Sequence, residues 1–171
     1  MIDWPTIVAD HGPAVWRTVY RLVSNREDAH DCYQETFLQA ARFAKTQTVS
    51  NWAALLRRIA TGRALDCLRR RYRLAGATPL EATAESPARG PAPDVQAELR
   101  EAMERLRREL ADLPVQQAKV FWLREVELMS TAEVADELQV VPDQVATWLH
   151  RAKRKLRDAL AEYDRRSEVR Q

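Results

Sequence analysis

Polar and cationic side chains that could bind DNA recur between residues 144 and 154. Apolar residues repeat there at spacings of four, three and four, at Val145, Leu149, Ala152 and Leu156. This repeat predicts a helix that docks through one apolar stripe and presents its other faces outward. The side chains on those other faces are Gln144, Thr147, Trp148, Arg151 and Arg154. Such a helix could enter the major groove as the second helix of a helix-turn-helix does.

The residues ahead of this helix predict the partner that would position it. Ser130 and Glu133 have the S-x-x-E spacing of a capping box, so a helix is expected to start at Ser130. Its pattern ends at residues 139–141, and Pro142 suits the first turn of the next helix, where a missing N–H needs no partner. A helix-turn-helix is therefore predicted, although an ordinary surface hairpin of two helices with a solvated basic end has the same pattern.

Composition argues against several classes of protein. Among 171 residues, 30% are charged and the net charge is +2, so the chain is not a uniformly basic nucleic-acid coat. Any affinity for DNA must come from local clusters of charge. The chain has neither a secretory signal pattern nor an apolar span long enough for a membrane, which predicts a cytoplasmic protein with no membrane insertion and with reduced thiols.

Catalytic and metal-binding patterns are not found. The cysteines, Cys32 and Cys67, and the three histidines have no C-x-x-C or H-x-x-x-H spacing, so no metal is expected. The four glycines are scattered and form no phosphate-binding loop, and no nucleophile has an obvious base. We therefore expect a protein that is not an enzyme and needs no cofactor.

A proline-rich stretch divides the chain. Four of the eight prolines and two of the four glycines lie between Gly76 and Pro93, where no apolar period survives. This predicts a flexible linker over residues 76–95 between domains at 1–75 and 96–171. The alternative is a long surface loop within one domain.

Three helices are predicted before the linker. They span Pro13 to Val23, Arg26 to Phe43 with Asn25 as its cap, and the stretch after Ser50, expected to be the cap, as far as Arg73. The outer surface of the second helix is acidic and rich in amides, with few interleaved cations, which indicates a basic protein partner. Its polar residues are Glu27, Asp28, Asp31, Gln34, Glu35 and Gln39.

The third helix carries a strong basic bias. Between residues 57 and 73 the only acid is Asp66, which stands against seven arginines: Arg57, Arg58, Arg63, Arg69, Arg70, Arg71 and Arg73. Such a tract repels itself unless it faces a polyanion, so DNA phosphates are favoured over a solvated face. Trp52, at the start of this helix, is more typical of a core aromatic than of a base-stacking one.

The second half is predicted to hold four helices, over Val95 to Leu110, over Val115 to Glu127, and in the helix-turn-helix. No segment alternates as a strand does. The predicted fold class is therefore all-α: two small helical domains joined by a flexible linker, the second containing the helix-turn-helix.

These motifs resemble the extracytoplasmic-function group of the sigma-70 family, bacterial transcription initiation subunits. Residues 28–37, D-A-H-D-C-Y-Q-E-T-F, are similar to the group's acidic helix, and Arg58-Ile59-Ala60 followed by Asp66 and Leu68-Arg69-Arg70 is similar to its next helix. Leu113-Pro114, L-R-E-V-E at 123–127 and L-H-R-A at 149–152 resemble its C-terminal domain. The resemblance covers nearly the whole chain.

The resemblance implies a promoter-specificity factor for RNA polymerase. It implies that the acidic helix binds the clamp coiled coil of the large subunit, that the polymerase flap is also contacted, and that an anti-sigma factor is a further partner. Polymerase contacts are then expected at Asp28, Asp31, Gln34 and Glu35. Contacts to the minus-10 promoter element are expected at Lys45, Thr46, Gln47, Thr48, Arg57, Arg58, Arg63, Arg69 and Arg70. Contacts to the minus-35 element are expected at Gln144, Thr147, Trp148, His150, Arg151 and Arg154.

Two other functions share parts of this pattern. A stand-alone helix-turn-helix regulator would bind duplex DNA without polymerase, but would need neither the acidic helix nor the linker. A sigma-like decoy would bind polymerase or a regulator without reading promoters. Ala146 and Trp148 stand where the resemblance leads one to expect cations, which keeps the decoy open.

Overall fold

The computed structural model describes residues 2–74 and 93–168. Within these ranges every regular element is helical and no strand occurs, which confirms the predicted all-α class. The chain folds as two compact units, Met1–Pro87 and Ala88–Gln171. Most of the predicted linker, residues 76–95, lies outside the described residues. None of the described helices is both long and apolar enough to cross a membrane.

The first unit contains three helices: α1 (Trp4–Val23), α2 (Arg26–Ala44) and α3 (Trp52–Leu74). The prediction that the first helix begins at Pro13 is wrong, because α1 begins at Trp4 and contains Pro13 in its interior. The carboxylate of Asp3 caps this earlier start by accepting the amide of Thr6 at 3.2 Å. Pro13 is exposed and the stripe of buried valines continues past it, so packing outweighs the hydrogen bond that proline cannot donate.

Large apolar side chains of α1 and α3 build the core of the first unit. Val19, Leu22 and Leu56 are almost completely buried, as are Leu65 and Leu68 of α3. The buried face of α2 consists instead of small side chains: Ala29, Cys32, Thr36 and Ala40. Small residues at these spacings of three and four let α2 pack close to its neighbours, and leave its other face to polar groups.

The start of α3 differs from the prediction in one residue. Ser50 was expected to be the cap, but Asn51 has this role, because its Oδ1 accepts the amide of Ala54 at 3.0 Å. The backbone carbonyl of Asn51 also accepts the amide of Leu55 at 3.1 Å. The Asn25 cap of α2 is confirmed, with the amide of Asp28 2.9 Å from Oδ1.

The second unit contains α4 (Pro93–Asp112), α5 (Val115–Phe121), α6 (Thr131–Leu138) and α7 (Pro142–Glu168). A π-helical turn, Trp122–Val126, follows α5 directly. It occupies the second half of the segment in which one helix from Val115 to Glu127 was predicted. Trp122 is fully buried there, and its indole donates to Glu127 at 3.2 Å. Each predicted helix of this half is present, with bounds that differ by a few residues.

The helix-turn-helix prediction is confirmed as structure. Ser130 and Glu133 form the complete capping box at the start of α6. Gln139 ends α6 in the left-handed region at φ 57°, and α7 starts at Pro142. One apolar cluster holds the pair together, made of Val120, Leu123, Met129, Val134, Ala135 and Val145, with Leu138, Val140, Trp148 and Leu149 packed against it.

Candidate functional site

The acidic face of α2 carries the four predicted polymerase contacts. Asp31 and Gln34 are exposed, whereas Asp28 and Glu35 are partly buried. Their spacing places all four within about two turns of one helix. The capped N-terminus of α2, with Glu27 and Asp28 in its first turn, is an end where the helix dipole stabilises acids.

Cations do neutralise part of this face, contrary to the sequence interpretation. Arg71 reaches across from α3, with Nη2 3.5 Å from Oδ2 of Asp28. Within α2, Nη1 of Arg42 lies 3.7 Å from Oε1 of Glu35. The repulsion expected on α2 is therefore relieved at two of its four predicted contacts. Arg71 of α3 pairs with Asp28, and the exposed Arg42 of α2 itself pairs with Glu35.

Several arginines of α3 are bound into the fold. Arg63 donates from Nε to Oε1 of Gln39 at 2.8 Å, and Arg71 donates to the backbone carbonyl of Val23 at 2.9 Å. Arg69 pairs with Asp66 at 3.4 Å. The sequence interpretation had assigned the whole tract to a polyanion. Part of its charge instead ties α3 to α1 and α2, while Arg70 and Arg73 are exposed.

The predicted minus-10 loop is held at its base by Phe43. The carbonyl of Phe43 accepts the amide of Gln47 at 3.0 Å and the hydroxyl of Thr46 at 3.1 Å. The guanidinium of Arg58 lies over the Phe43 ring, 6.0 Å from its centroid, which connects the loop base to α3. The four predicted contacts of the loop are all exposed: Lys45, Thr46, Gln47 and Thr48.

Helix α7 presents most of its predicted contacts to solvent. Gln144, Thr147, His150, Arg151 and Arg154 are exposed. Trp148 differs, because it is partly buried and packs against the apolar cluster. Trp148 therefore faces outward only in part, and its indole adds to the apolar stripe that the repeat of Val145, Leu149 and Ala152 predicts.

One ion pair and one capping box orient α7 further. Nζ of Lys153 lies 2.9 Å from Oε1 of Glu125 in the π-helical turn. The capping box of α6 fixes the partner helix. The exposed face of α7 therefore lies on a support that is packed and hydrogen-bonded, which is what a surface that reads DNA bases requires.

Sequence analysis missed three contacts of the first unit. Trp4 meets Trp52 edge to face with ring centroids 5.2 Å apart, so Trp52 is indeed a packing aromatic. Gly12 lies against Tyr33, and a Cβ at Gly12 would be 2.6 Å from the tyrosine hydroxyl. The thiols of Cys32 and Cys67 meet across α2 and α3. No local pattern reports such pairs, since each joins residues more than twenty positions apart in sequence.

The described residues hold no cluster of three or more histidine, cysteine or acidic side chains arranged to bind a metal ion. The arrangement that they do hold is one acidic surface, one basic surface with a polar loop, and one polar helix face. Exposed charged and polar surfaces of this kind suit contacts with other macromolecules.

Comparison with known proteins identifies the family. Residues 7–74 match the profile of sigma-70 region 2, and residues 103–156 match that of sigma-70 region 4. The chain is also 33% identical over 167 residues to the ECF RNA polymerase sigma factor SigE of Mycolicibacterium smegmatis. The chain belongs to the extracytoplasmic-function group of the sigma-70 family. The resemblance expected from sequence is thus confirmed.

This sigma-70 family member covers only part of its relative. The alignment takes in 95% of this chain but 63% of the SigE chain. A similar fold occurs in the sigma factor RpoE from Bartonella quintana, which was solved in complex with the anti-sigma factor NepR. The two structures align with a TM-score of 0.56 and 21% sequence identity, and the alignment covers 93% of this chain and 97% of the RpoE chain. The region 2 match lies in the first unit and the region 4 match in the second.

Proposed function

We propose that this chain is a promoter-specificity factor that binds core RNA polymerase and directs transcription initiation at minus-10 and minus-35 elements. The observation that carries the proposal is the order of its parts, with region 2 on the unit that bears the acidic helix and region 4 on the unit that bears the helix-turn-helix. In this proposal residues 1–75 and 96–171 are the two binding domains and 76–95 join them. The protein acts by binding, in the cytoplasm, without catalysing a reaction of its own.

Polymerase docking is assigned to α2. Asp31 and Gln34 offer an exposed carboxylate and amide, and Asp28 and Glu35 extend the same surface. A basic surface, as proposed for the polymerase clamp coiled coil, would complement these charges and speed the encounter. The flap is the proposed contact of the second domain. An anti-sigma factor is a further proposed partner, supported by the complex in which the similar RpoE was solved.

Minus-10 recognition is assigned to the loop at residues 45–48 and to α3. The loop is anchored through the Phe43 carbonyl, which also accepts the hydroxyl of Thr46. All four side chains of the loop are exposed, so they can meet extruded bases. Arg70 is exposed on α3 and can contact phosphate, and Arg57, Arg58, Arg63 and Arg69 line the same helix. Because Arg63 and Arg69 also have partners within the fold, we expect them to contribute less to phosphate binding than Arg70.

Minus-35 recognition is assigned to the exposed face of α7. Gln144 and Arg151 carry the groups that pair in bidentate fashion with adenine and guanine, and Thr147 can contact either a polar edge or a methyl group. His150 and Arg154 complete the face. Trp148 is partly buried and packs against the apolar cluster, so we expect it to support this surface more than to contact bases.

Run-off transcription with purified core polymerase tests the proposal. Adding the chain to core polymerase and fragmented genomic DNA should produce transcripts whose start sites share two upstream elements. If adding the chain produces no transcripts beyond those of core polymerase alone, the proposal is refuted. Polymerase binding without any promoter opening would identify a decoy, and tight duplex binding without polymerase binding would identify a stand-alone regulator.

Asp31→Lys and Asp10→Lys make a matched pair for this assay. Both aspartates are exposed, lie within helices of the first unit and undergo the same change of charge. The proposal requires Asp31→Lys to lower promoter-dependent transcription and Asp10→Lys to leave it near the unmodified level.

A further inference from the structure

Helices α2 and α3 run antiparallel, and two contacts set their register. Asp28 near the start of α2 pairs with Arg71 near the end of α3 at 3.5 Å. Gln39 near the end of α2 accepts from Arg63 of α3 at 2.8 Å. The residue numbers of the partners on α3 therefore decrease as those on α2 increase, as expected for antiparallel helices.

This register brings two thiols together. Cys32 lies one helical turn after Asp28, and Cys67 lies one turn before Arg71, so the cysteines occupy facing positions between the two contacts. Cys32 belongs to the buried face of α2 and Cys67 to the buried face of α3, and the two thiols are close enough for each to shift the pKa of the other. They are the only cysteines in the sequence, and both are free thiols in the structure.

Both thiols are buried and lie near charged side chains. Cys32 is 6% exposed and Cys67 is 7% exposed. The hydrogen bond from Cys32 lowers the pKa of Cys67, and the positive charges of Arg70 and Arg71 act in the same direction, against burial and the charge of Asp28. Holding the shared proton, together with burial, raises the pKa of Cys32. The charges of Arg70 and Arg71 favour the thiolate at Cys67, and Cys32 faces it from α2 in position to resolve its oxidation.

We infer that Cys32 and Cys67 form a reversible redox site in which a peroxide converts the two thiols into a disulfide between α2 and α3. The sulfur of Cys67 attacks one peroxide oxygen and becomes a sulfenic acid as the O–O bond breaks, and the departing oxygen takes up a proton to leave as water. The sulfur of Cys32 then attacks that of Cys67, and the sulfenic oxygen leaves as a second water with the Cys32 proton. Two thiols lose two electrons in total, and one hydrogen peroxide gains them.

The bond would join the two helices of the first unit that carry the proposed polymerase and minus-10 contacts. A disulfide requires Cα atoms about 4.4–6.8 Å apart. The small side chains on the buried face of α2 favour such a close approach to α3. The link closes a loop of about 35 residues in the unfolded chain, so the oxidised first unit should unfold roughly 15–30 °C higher than the reduced one. The inference itself does not depend on the proposed function.

The test uses the full chain, reduced, freed of reductant and then treated with hydrogen peroxide under native conditions. We expect thiols counted after denaturation to fall from two to none, the intact mass to fall by two hydrogen atoms, and a non-reducing digest to contain a peptide pair joined through Cys32 and Cys67. Dithiothreitol should restore both thiols and the lower unfolding midpoint. Two surviving thiols, or sulfinic acid without the linked peptide pair, would overturn the inference.

Single-cysteine variants assign the order of the steps. Each variant also removes the interaction between the two thiols, so the remaining difference is the positive charge of Arg71, which acts on Cys67. Dimedone should therefore trap more sulfenic acid on Cys67 of Cys32→Ala than on Cys32 of Cys67→Ala. Equal labelling of both variants would overturn the assignment of Cys67 as the attacking thiol, while the linked peptide of the unmodified chain tests the site independently of either variant's folding.

Discussion

Arg71 on α3 holds the carboxylate of Asp28 on α2, with Nη2 3.5 Å from Oδ2. The same guanidinium donates from Nη1 to the carbonyl of Val23 at the end of α1, at 2.9 Å. One arginine of the basic tract therefore joins all three helices of the first unit. It also sets the position of a carboxylate that the resemblance had assigned to polymerase binding.

Replacing Arg71 should destabilise the first unit. Arg71→Ala removes the donor to the carbonyl of Val23, a residue that is fully buried, and we expect the free energy of unfolding to fall by about 2 kcal/mol. The ion pair adds little to this loss, since the Asp28 side chain is 31% exposed and solvent screens it. Urea denaturation measures the change. Arg70→Ala, an exposed neighbour, should shift stability by less than about 0.5 kcal/mol, and an equal loss in both variants would contradict the structural role of Arg71.

Charge reversal on α2 should separate binding from folding. Asp31→Lys puts a cation in the centre of the acidic face, so we expect the dissociation constant for core polymerase to rise at least about tenfold. The free energy of unfolding should change by less than about 0.5 kcal/mol, because Asp31 is exposed. Fluorescence anisotropy of labelled protein measures the first quantity. If a double variant with Asp31→Lys and Glu35→Lys binds core polymerase with normal affinity, α2 is not part of the polymerase interface.

The cap of α3 gives a test that distinguishes neighbouring residues. Asn51→Ala removes the acceptor for the amide of Ala54 and should lower the free energy of unfolding by about 1 kcal/mol. Ser50→Ala should have almost no effect, since Ser50 is exposed and lies outside the cap. Thermal melts of the two variants measure these losses. A larger loss in Ser50→Ala than in Asn51→Ala would show that Ser50 is the cap.

Trp148 should behave as a packing residue. Trp148→Ala opens a gap beside the apolar cluster of the helix-turn-helix, and we expect the free energy of unfolding to fall by about 2 kcal/mol, less than for a fully buried tryptophan. Trp148→Phe should recover most of the stability and keep DNA affinity. If instead the phenylalanine variant is stable but loses minus-35 binding, the indole contacts DNA directly.

Arg151 should behave in the opposite way. Arg151→Ala leaves an exposed position on α7 and should not change stability by more than about 0.5 kcal/mol. We expect holoenzyme affinity for a duplex with the mapped minus-35 element to fall about tenfold if Arg151 pairs with guanine, with a loss that depends on that base. A uniform loss across sequences, with a salt slope smaller by about one, would mean a phosphate contact. No loss at any salt concentration would exclude Arg151 from the interface.

Local signals predicted the helices and most of their ends. The Asn25 cap, the capping box of Ser130 and Glu133, and the apolar repeat through Val145 each concern residues a few positions apart, so the sequence contains all the information they need. The same signals failed where packing competes with propensity. At Pro13 the buried stripe of α1 outweighs a missing hydrogen bond, and after Phe121 the helix widens into a π-helical turn where Trp122 is fully buried.

The sequence by itself determined the all-α class, the division around a proline-rich stretch, the helix-turn-helix and the resemblance to sigma-70 factors. Periodicity and capping depend on residues a few positions apart, and the order of motifs is a property of the sequence itself. All three can therefore be identified without the fold. Only the tertiary structure decided which charged side chains pair within the protein, such as Arg71 with the carboxylate of Asp28 and the carbonyl of Val23. It also decided that Trp148 packs against the apolar cluster and that Cys32 and Cys67 are neighbours. These pairings depend on the register between packed helices, which no local pattern encodes.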